Sequence, residues 1–506
     1  MKFWAFLLGL LAIATPAEAR WYEASTDHFV IYADDSEKDI REYAENLERY
    51  QAALAGLTGF NVGKPSPSNR VTIFVVGSQR DIRKLHGGEN RYVAGFYIPR
   101  AGGSRAFVQD IRMRSGYPDF STVVLLHEYA HHFLMSAQSY AMPRWVNEGA
   151  AEFFASASFN RDGSLGIGRP ALHRAAELAY ERDVPVEQLL DQELYDSKKR
   201  NGYDAFYGRS WALYHYLFFS DERAGQFRDY INRVVGGETS IDAGRAAFGD
   251  LRKLDREVDR YLRQRSMTSL KLDGETIAIG AVKMRELPEG EAEAMPLRIR
   301  SQRGVDRDVV GEVVVEARAL AQRFPDDAGV LTVLAEAEFD AGNDAAAISA
   351  ADAAIAIDPM RRNAYVQKGF AMFRMAGASD NPDADYNAAM APFSALNRIE
   401  NDHPLPLVYY YRSVRLRGKP MSDVARRAIE RALELAPFDR SLALETATMQ
   451  MEEGKIALAK RTLDPVVNDP HGGPLSSVAA TLASLLEKIP EGTSIKAPSM
   501  PEPDDD

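Results

Sequence analysis

The sequence has 506 residues, 45% of them hydrophobic and 26% charged, which is enough for about two to four globular domains. The formal net charge is −12, and basic residues form no dense cluster. We therefore expect no nucleic acid partner and no attraction to an anionic membrane surface through bulk electrostatics.

Residues 1–19 predict a secretory signal peptide. Lys2 precedes an apolar stretch at 3–13, and Ala17 and Ala19 lie just before a cleavage site at Arg20. This stretch is shorter than the ~20 residues that cross a bilayer, so we expect no membrane span after cleavage. The sequence has no cysteine, which excludes disulfides and thiolate ligands and is compatible with export. We expect an exported protein, periplasmic or extracellular.

Residues 20–117 predict a small mixed sheet with helices. HFVIYA at 28–33 and VTIFVV at 71–76 have the composition of strands, and Ser36 with Asp39 forms a capping box that begins a helix. Residues 118–268 show an almost wholly helical pattern. The two segments predict one α+β domain at 20–268.

The second half of the chain predicts helical repeats. Residues 269–304 alternate short apolar runs with Glu-rich turns and are interpreted as a connector with some strand content. In 305–487, a unit from Pro325 to Pro359 has a glycine at its midpoint, and a second unit, from Pro437 to Pro470, has one at the same place. This spacing resembles tetratricopeptide repeats, an all-α architecture. Residues 488–506 predict a disordered acidic tail.

The stretch FSTVVLLHEYAHHFLM at 120–135 predicts a metal site on a helix. Residues four apart lie about 40° apart around a helix, so His127 and His131 project from one face with Glu128 beside them. Two imidazoles in this arrangement can hold one metal ion, while Glu128 can take a proton from the water that the ion activates. The segment PRWVNEGAAEFF at 143–154 supplies a carboxylate, Glu148, on a second helix.

This spacing resembles the gluzincins, the group of thermolysin-like and membrane-alanyl-aminopeptidase-like zinc peptidases. The resemblance implies a zincin-like catalytic domain at 20–268 and one Zn²⁺ per chain. It implies that His127, His131 and Glu148 are the ligands and that Glu128 is the general base. From ligand chemistry alone, iron or manganese also suits two imidazoles and a carboxylate. A metal-free polar network of the same residues is a further alternative.

Two more positions follow from the same comparison. Glu152 lies one turn beyond Glu148 and could accept the second ring N–H of a ligand histidine, as an acid at this offset does in thermolysin-like enzymes. AFYGRSWALYHYL at 205–217 resembles the aminopeptidase-like segment whose tyrosine stabilises the oxyanion, which implies that role for Tyr207. Arg209 and Ser210 depart from that pattern. Gly149 indicates a close approach of two helices or of substrate.

The leading hypothesis is an exported zinc metallopeptidase that hydrolyses peptide bonds of a peptide or protein substrate, with repeats that recruit substrate or partner. The alternative hypothesis is a tetratricopeptide-repeat scaffold or adaptor with a structural or inactive zinc site, in which stacked helix pairs bind a protein partner. Neither the substrate nor the choice between endo- and exopeptidase action follows from the sequence.

Overall fold

The computed structural model describes residues 20–88, 93–113, 116–137, 141–199, 202–306, 309–469 and 471–496. The predicted signal peptide and the end of the acidic tail lie outside these residues. The described chain contains 22 α-helices and nine strands, so it is mostly helical with a small mixed sheet near its N-terminus. The strands are β1 (Trp21–Ser25), β2 (Phe29–Asp34), β3 (Val71–Val75), β4 (Gly95–Ile98), β5 (Arg105–Val108), β6 (Ser158–Phe159), β7 (Leu165–Ile167), β8 (Leu270–Leu272) and β9 (Lys283–Glu286).

The helices of the first half are α1 (Glu37–Thr58), α2 (Gln79–His86), α3 (Phe120–Ala137), α4 (Arg144–Ala155), α5 (Ala175–Tyr180), α6 (Val186–Leu190), α7 (Gln192–Lys198), α8 (Phe206–Phe219), α9 (Gln226–Val235), α10 (Ser240–Phe248), α11 (Leu251–Leu262) and α12 (Glu289–Arg303). Those of the second half are α13 (Val310–Arg323), α14 (Ala328–Asp340), α15 (Asp344–Ile357), α16 (Arg362–Gly377), α17 (Pro382–Ile399), α18 (Pro404–Leu416), α19 (Asp423–Leu435), α20 (Arg440–Glu452), α21 (Ile456–Val467) and α22 (Pro474–Leu486). In the described part of the chain, no helix is both long enough and apolar enough to cross a bilayer.

A six-stranded sheet in the order β4-β5-β3-β2-β1-β9 forms the base of the first domain. The pairs β2–β3 and β3–β5 are parallel, and the other pairs are antiparallel. Both faces of β2 are buried: Phe29 and Ile31 pack in the core that includes α1 and α3, whereas Val30 and Tyr32 pack towards α12. The segment 269–304, interpreted from sequence as a connector, thus supplies β8, β9 and a helix that covers the sheet.

The helices of 310–486 stack as consecutive pairs, as the repeat pattern predicts. The repeat has a constant length: α16 begins as many residues after α14 as α22 begins after α20. Gly342 and Gly454 have positive φ at the turns between paired helices, where a side chain would be strained. Alanines such as Ala351 and Ala432 are fully buried, which allows the close packing of neighbouring helices.

The repeats are packed against the first domain along several of their helices. Ser68 donates hydrogen bonds to the Glu400 carboxylate from its backbone N–H (2.9 Å) and its hydroxyl (3.0 Å). The amide of Asn69 donates to the carbonyl of Leu435 (3.0 Å). The N–H of Ala101 donates to the carboxylate of Asp439 (2.8 Å), which precedes α20. We call this set of contacts the clasp; it fixes the repeats beside α3.

Candidate metal centre

Helix α3 presents two histidines to the same point. The N-terminus of the helix is capped by the Asp119 carboxylate, which accepts hydrogen bonds from the backbone N–H groups of Ser121 and Thr122. Further along the helix, His127 and His131 are buried, and their Nε2 atoms lie 3.0 Å apart. Two nitrogens at this distance can share one cation.

Glu148 on α4 completes a triangle of donor atoms. Its carboxylate is fully buried, and neither oxygen has a hydrogen-bond partner among the described residues. Its Oε2 lies 3.4 Å from Nε2 of His127 and 3.4 Å from Nε2 of His131. Zinc ligands at about 2.1 Å in tetrahedral geometry are about 3.4 Å from one another, so the triangle is close to the dimensions of three zinc ligands. A buried carboxylate that receives no hydrogen bond is stabilised by a cation, and the residues therefore fit zinc.

The electrostatics of the cluster also favour a bound cation. Burial opposes a charge on His127, but the carboxylates of Glu148 and Glu152 close to its ring outweigh burial and raise the pKa of His127 to about 10. Burial would raise the pKa of Glu148, yet its contacts with His127 and His131 hold that pKa well below the usual range. Burial and the positive charge of His127 lower the pKa of His131. The two buried carboxylates thus draw positive charge to the point where the donors meet.

Glu152 lies behind His127, one turn along α4. Its Oε1 is 3.2 Å from Nδ1 of His127, a position from which it can accept the second ring N–H and fix the ring. The same carboxylate meets Nε2 of His173 (2.5 Å) and the guanidinium of Arg174 (2.5 and 2.9 Å). Glu152 is thus fully buried and paired on both oxygens, and it is oriented by two residues that the sequence did not single out.

Helix α8 packs across α4 at Gly149 and carries Tyr207. A Cβ added to Gly149 would lie 2.6 Å from the carbonyl oxygen of Ser210, so the two helices meet there, backbone to backbone. The ring centroid of Tyr207 is 6.5 Å from that of His127, and the Arg174 guanidinium lies 4.7 Å from the Tyr207 ring centroid. Burial and the negative charge of Glu148 raise the pKa of the Tyr207 hydroxyl.

Arg209, which departs from the aminopeptidase-like pattern, faces away from the donors. It is buried and donates hydrogen bonds to Asp255 (2.7 Å) and Asp259 (2.6 Å) on α11. Its role is to hold α8 against α11. His132 likewise contacts other groups, Tyr97 (2.5 Å) and the ring of Phe438, and not the three donors.

A histidine of the repeats, His471, also reaches the site. Its Nε2 lies 3.5 Å from Oε2 of Glu128, and its ring centroid is 5.1 Å from that of His131. One ring nitrogen from each of His127, His131 and His471 lies within 4.8 Å of the other two. Burial alone would raise the pKa of Glu128, but the nearby His471 ring lowers it to about 2. Sequence reasoning missed His471 because no local spacing links it to α3, which lies in the first domain.

Comparison with known proteins gives two findings. Residues 120–236, the segment that contains the six predicted site residues, match the family described as a protein of unknown function, DUF1570. No curated protein matches the sequence. One similar solved structure is a thermophilic TPR protein of Thermus thermophilus; it is 15% identical, the match covers 38% of this chain and 95% of that one, and the TM-score is 0.31.

These findings correct the sequence-based family assignment. The predicted gluzincin membership is wrong, because the family that matches the metal-site segment is one of unknown function. The classification of the chain as a metalloprotease loses its basis with it, and a zincin-like catalytic fold is not shown. What the structure does show is a mostly helical protein in which helix pairs follow a small mixed sheet.

Proposed function

We propose that this protein is a helical-repeat scaffold for protein partners, built around a first domain that holds one structural zinc ion. The clasp carries this proposal. It binds the stacked helix pairs to the first domain at Ser68, Asn69 and Ala101, so the repeats and the metal site form one unit. Zinc held by His127, His131 and Glu148 would join α3 to α4 directly beneath the repeats.

Exposed apolar side chains of the repeats offer surface for a partner. Met360 lies in the turn between α15 and α16 and is 55% exposed, and Val424 near the start of α19 is 56% exposed. Stacked helix pairs present extended surfaces that bind peptides and proteins. The partner class we propose is therefore a protein or peptide, and the repeats are the part of the chain that binds it.

Photo-crosslinking in producing cells tests the scaffold role. A photoreactive amino acid is placed at Met360 or at Val424 in the full chain, and at Tyr180 as a control. Tyr180 is 86% exposed but belongs to the first domain. We expect a discrete cross-linked protein from the two repeat positions and not from Tyr180. Cross-links only from Tyr180, or from none of the three positions, would count against the proposal.

Metal analysis by mass spectrometry tests the zinc site. We expect about one zinc per wild-type chain, and loss of most of it in Glu148→Ala because one of three donors is removed. Glu187→Ala, at the exposed start of α6, is the matched control and should keep the metal. Iron or manganese in place of zinc would change the identity of the ion but not the site. A folded wild-type chain without metal, even after incubation with zinc, would refute the site.

A second candidate function is metal-dependent hydrolysis of a peptide bond, and one observation favours it. Of the three carboxylates in the site, Glu148 and Glu152 are fully buried, whereas the Glu128 side chain is 21% exposed and lies next to the donors. Zinc would supply Lewis acidity there. Glu128 could take a proton from water and return it to the leaving amine, and Tyr207 could donate a hydrogen bond to developing negative charge. This candidate does not depend on gluzincin membership.

Glu128→Gln tests the hydrolytic candidate. The amide keeps the shape of the side chain but cannot accept the proton, so we expect retained zinc and a rate of peptide hydrolysis lower by about 100-fold or more. Cleavage of a mixed-sequence peptide library, followed by mass spectrometry, measures the rate against the wild type. Equal rates in both proteins would exclude Glu128 as the base, and no cleavage by the zinc-loaded wild type would favour the structural role.

A further inference from the structure

We propose that His471 is a fourth zinc ligand, supplied by the repeats, and that it closes the metal site from the solvent side. This inference rests on the proposed zinc site and adds to it. A structural zinc site is commonly closed by four protein ligands, whereas a catalytic one keeps a position open. Three donors come from α3 and α4, and the His471 ring lies where a fourth can join them.

The position of His471 favours this role over that of an ordinary surface histidine. Its side chain is 39% exposed, in contrast to the buried His127, His131 and Glu148. It therefore approaches the donors from the side that solvent can reach. The His471 ring meets that of His131 edge-on, at an interplanar angle of 84°. One of its ring nitrogens lies within 4.8 Å of a ring nitrogen of His127 and of one of His131.

The backbone around His471 is held by a buried ion pair. We define the His471 turn as residues 468–469 and 471–473, between α21 and α22. Within it, the Asp469 carboxylate accepts a hydrogen bond from the N–H of His471 (2.8 Å) and pairs with Arg440 on α20. Asp469 is buried, and Gly472 and Gly473 have positive φ, so the chain reverses sharply there. The turn is thus built into the packed repeat rather than left as a loose loop.

His471 also controls Glu128. Its Nε2 lies 3.5 Å from Oε2 of Glu128. When His471 pairs with Glu128, that carboxylate is engaged and cannot serve as a free proton acceptor; when His471 binds zinc, the fourth position is filled. Only the second arrangement fills the fourth position, and it is the one that we propose for the zinc-loaded protein. Displacement of the His471 turn would release Glu128 and the fourth position together.

Cobalt substitution of the full chain tests this inference without any activity assay. Tetrahedral Co²⁺ has a visible spectrum that reports its ligands, and azide can bind only an open position. We expect one Co²⁺ per wild-type chain and no spectral change with azide. Loss of an outer-shell partner lowers metal affinity by about 10- to 100-fold, and loss of a ligand should cost at least as much. In His471→Ala we therefore expect a decrease in metal affinity of at least this size and a spectral change with azide. Added imidazole should restore the wild-type spectrum of this variant.

The controls separate this inference from the zinc site itself. Asn468→Ala changes an exposed residue of the same turn and should behave as the wild type. His471→Gln, which keeps a polar group near Glu128, should lose the metal affinity as His471→Ala does. If Glu148→Ala loses the metal while His471→Ala keeps wild-type affinity and wild-type response to azide, the inference is overturned and the zinc site stands. If the folded wild type binds neither Zn²⁺ nor Co²⁺, both are overturned.

Discussion

Gly149 shows how a single residue sets the geometry of the metal site. It follows Glu148 directly on α4, at the crossing with α8. An added Cβ would be 2.6 Å from the Ser210 carbonyl oxygen and 2.9 Å from Cβ of Tyr214, and both atoms belong to a packed helix that cannot give way easily. Glycine is less favourable in a helix than alanine by about 1 kcal/mol. At this position the absence of a side chain allows the two helices to touch.

Gly149→Ala should therefore destabilise the protein, although alanine is the better helix former. We expect a loss of about 1 to 3 kcal/mol in the free energy of unfolding, as for an overpacked core, together with weaker zinc binding because Glu148 moves with the backbone. Gly56→Ala is the matched control, since Gly56 belongs to α1 and has nothing within 4 Å of an added Cβ. It should gain about 0.5 to 1 kcal/mol. Denaturant unfolding measures both, and a Gly149→Ala variant as stable as wild type would contradict the argument.

Local spacing determined which site residues could be predicted. The face of one helix brings His127 and His131 together, and the next helix brings Glu148 and Glu152, so an HExxH pattern followed by a carboxylate was sufficient to propose them. His173 and His471 have no such pattern. They reach the site because separate elements fold back onto α3 and α4, and local spacing along the sequence does not reveal that approach.

Elements with strong local signals were also predictable from sequence. Ser36 begins α1 as predicted: its Oγ accepts from the N–H of Asp39 (3.2 Å) and donates to the Asp39 carboxylate (2.6 Å), while its own N–H donates to Asp35 (2.9 Å) in place of the second bond of a capping box. The segment 269–304 lacks such signals. Its strand β9 pairs with β1, and Met295 of α12 packs under the sheet, so its structure depends on partners from the beginning of the chain.

The fold class of the first domain shows the limit of motif reasoning. A small mixed sheet followed by helices was predictable from alternating and helical hydrophobic patterns. The assignment to a named peptidase group rested instead on a few residues of α3, α4 and α8, and the family match does not support it. Side chains arranged for metal binding recur on unrelated folds, so such residues identify a site more securely than a family.

At the scale of the whole molecule, a buried histidine lies at the contact between the repeats and the first domain. His403 precedes α18, and its Nδ1 accepts a hydrogen bond from the N–H of Leu405 (3.3 Å). Gly102 of the first domain packs directly on its ring. Burial lowers the pKa of His403 to about 4, against the opposing charge of Glu400 and with the help of Arg362. A neutral His403 therefore packs against the first domain next to the clasp.

The clasp should weaken in acid, and the sign follows from His403. The unfolded chain takes up a proton near pH 6.5, whereas the folded chain resists it down to about pH 4, so stability is complete above pH 6.5 and falls as the pH drops through this window. Between pH 7.5 and pH 5 we expect His403 to account for a loss of about 2 kcal/mol in the free energy of unfolding.

Replacement of His403 by asparagine isolates this contribution from that of other groups. Asparagine can still accept a hydrogen bond at the start of α18 but does not titrate in this range, so the variant should be less sensitive to the change from pH 7.5 to pH 5. Denaturant unfolding of the full chain at both pH values gives the difference directly. The same pH dependence in wild type and His403→Asn would mean that His403 is not the group that makes the contact between the repeats and the first domain sensitive to acid.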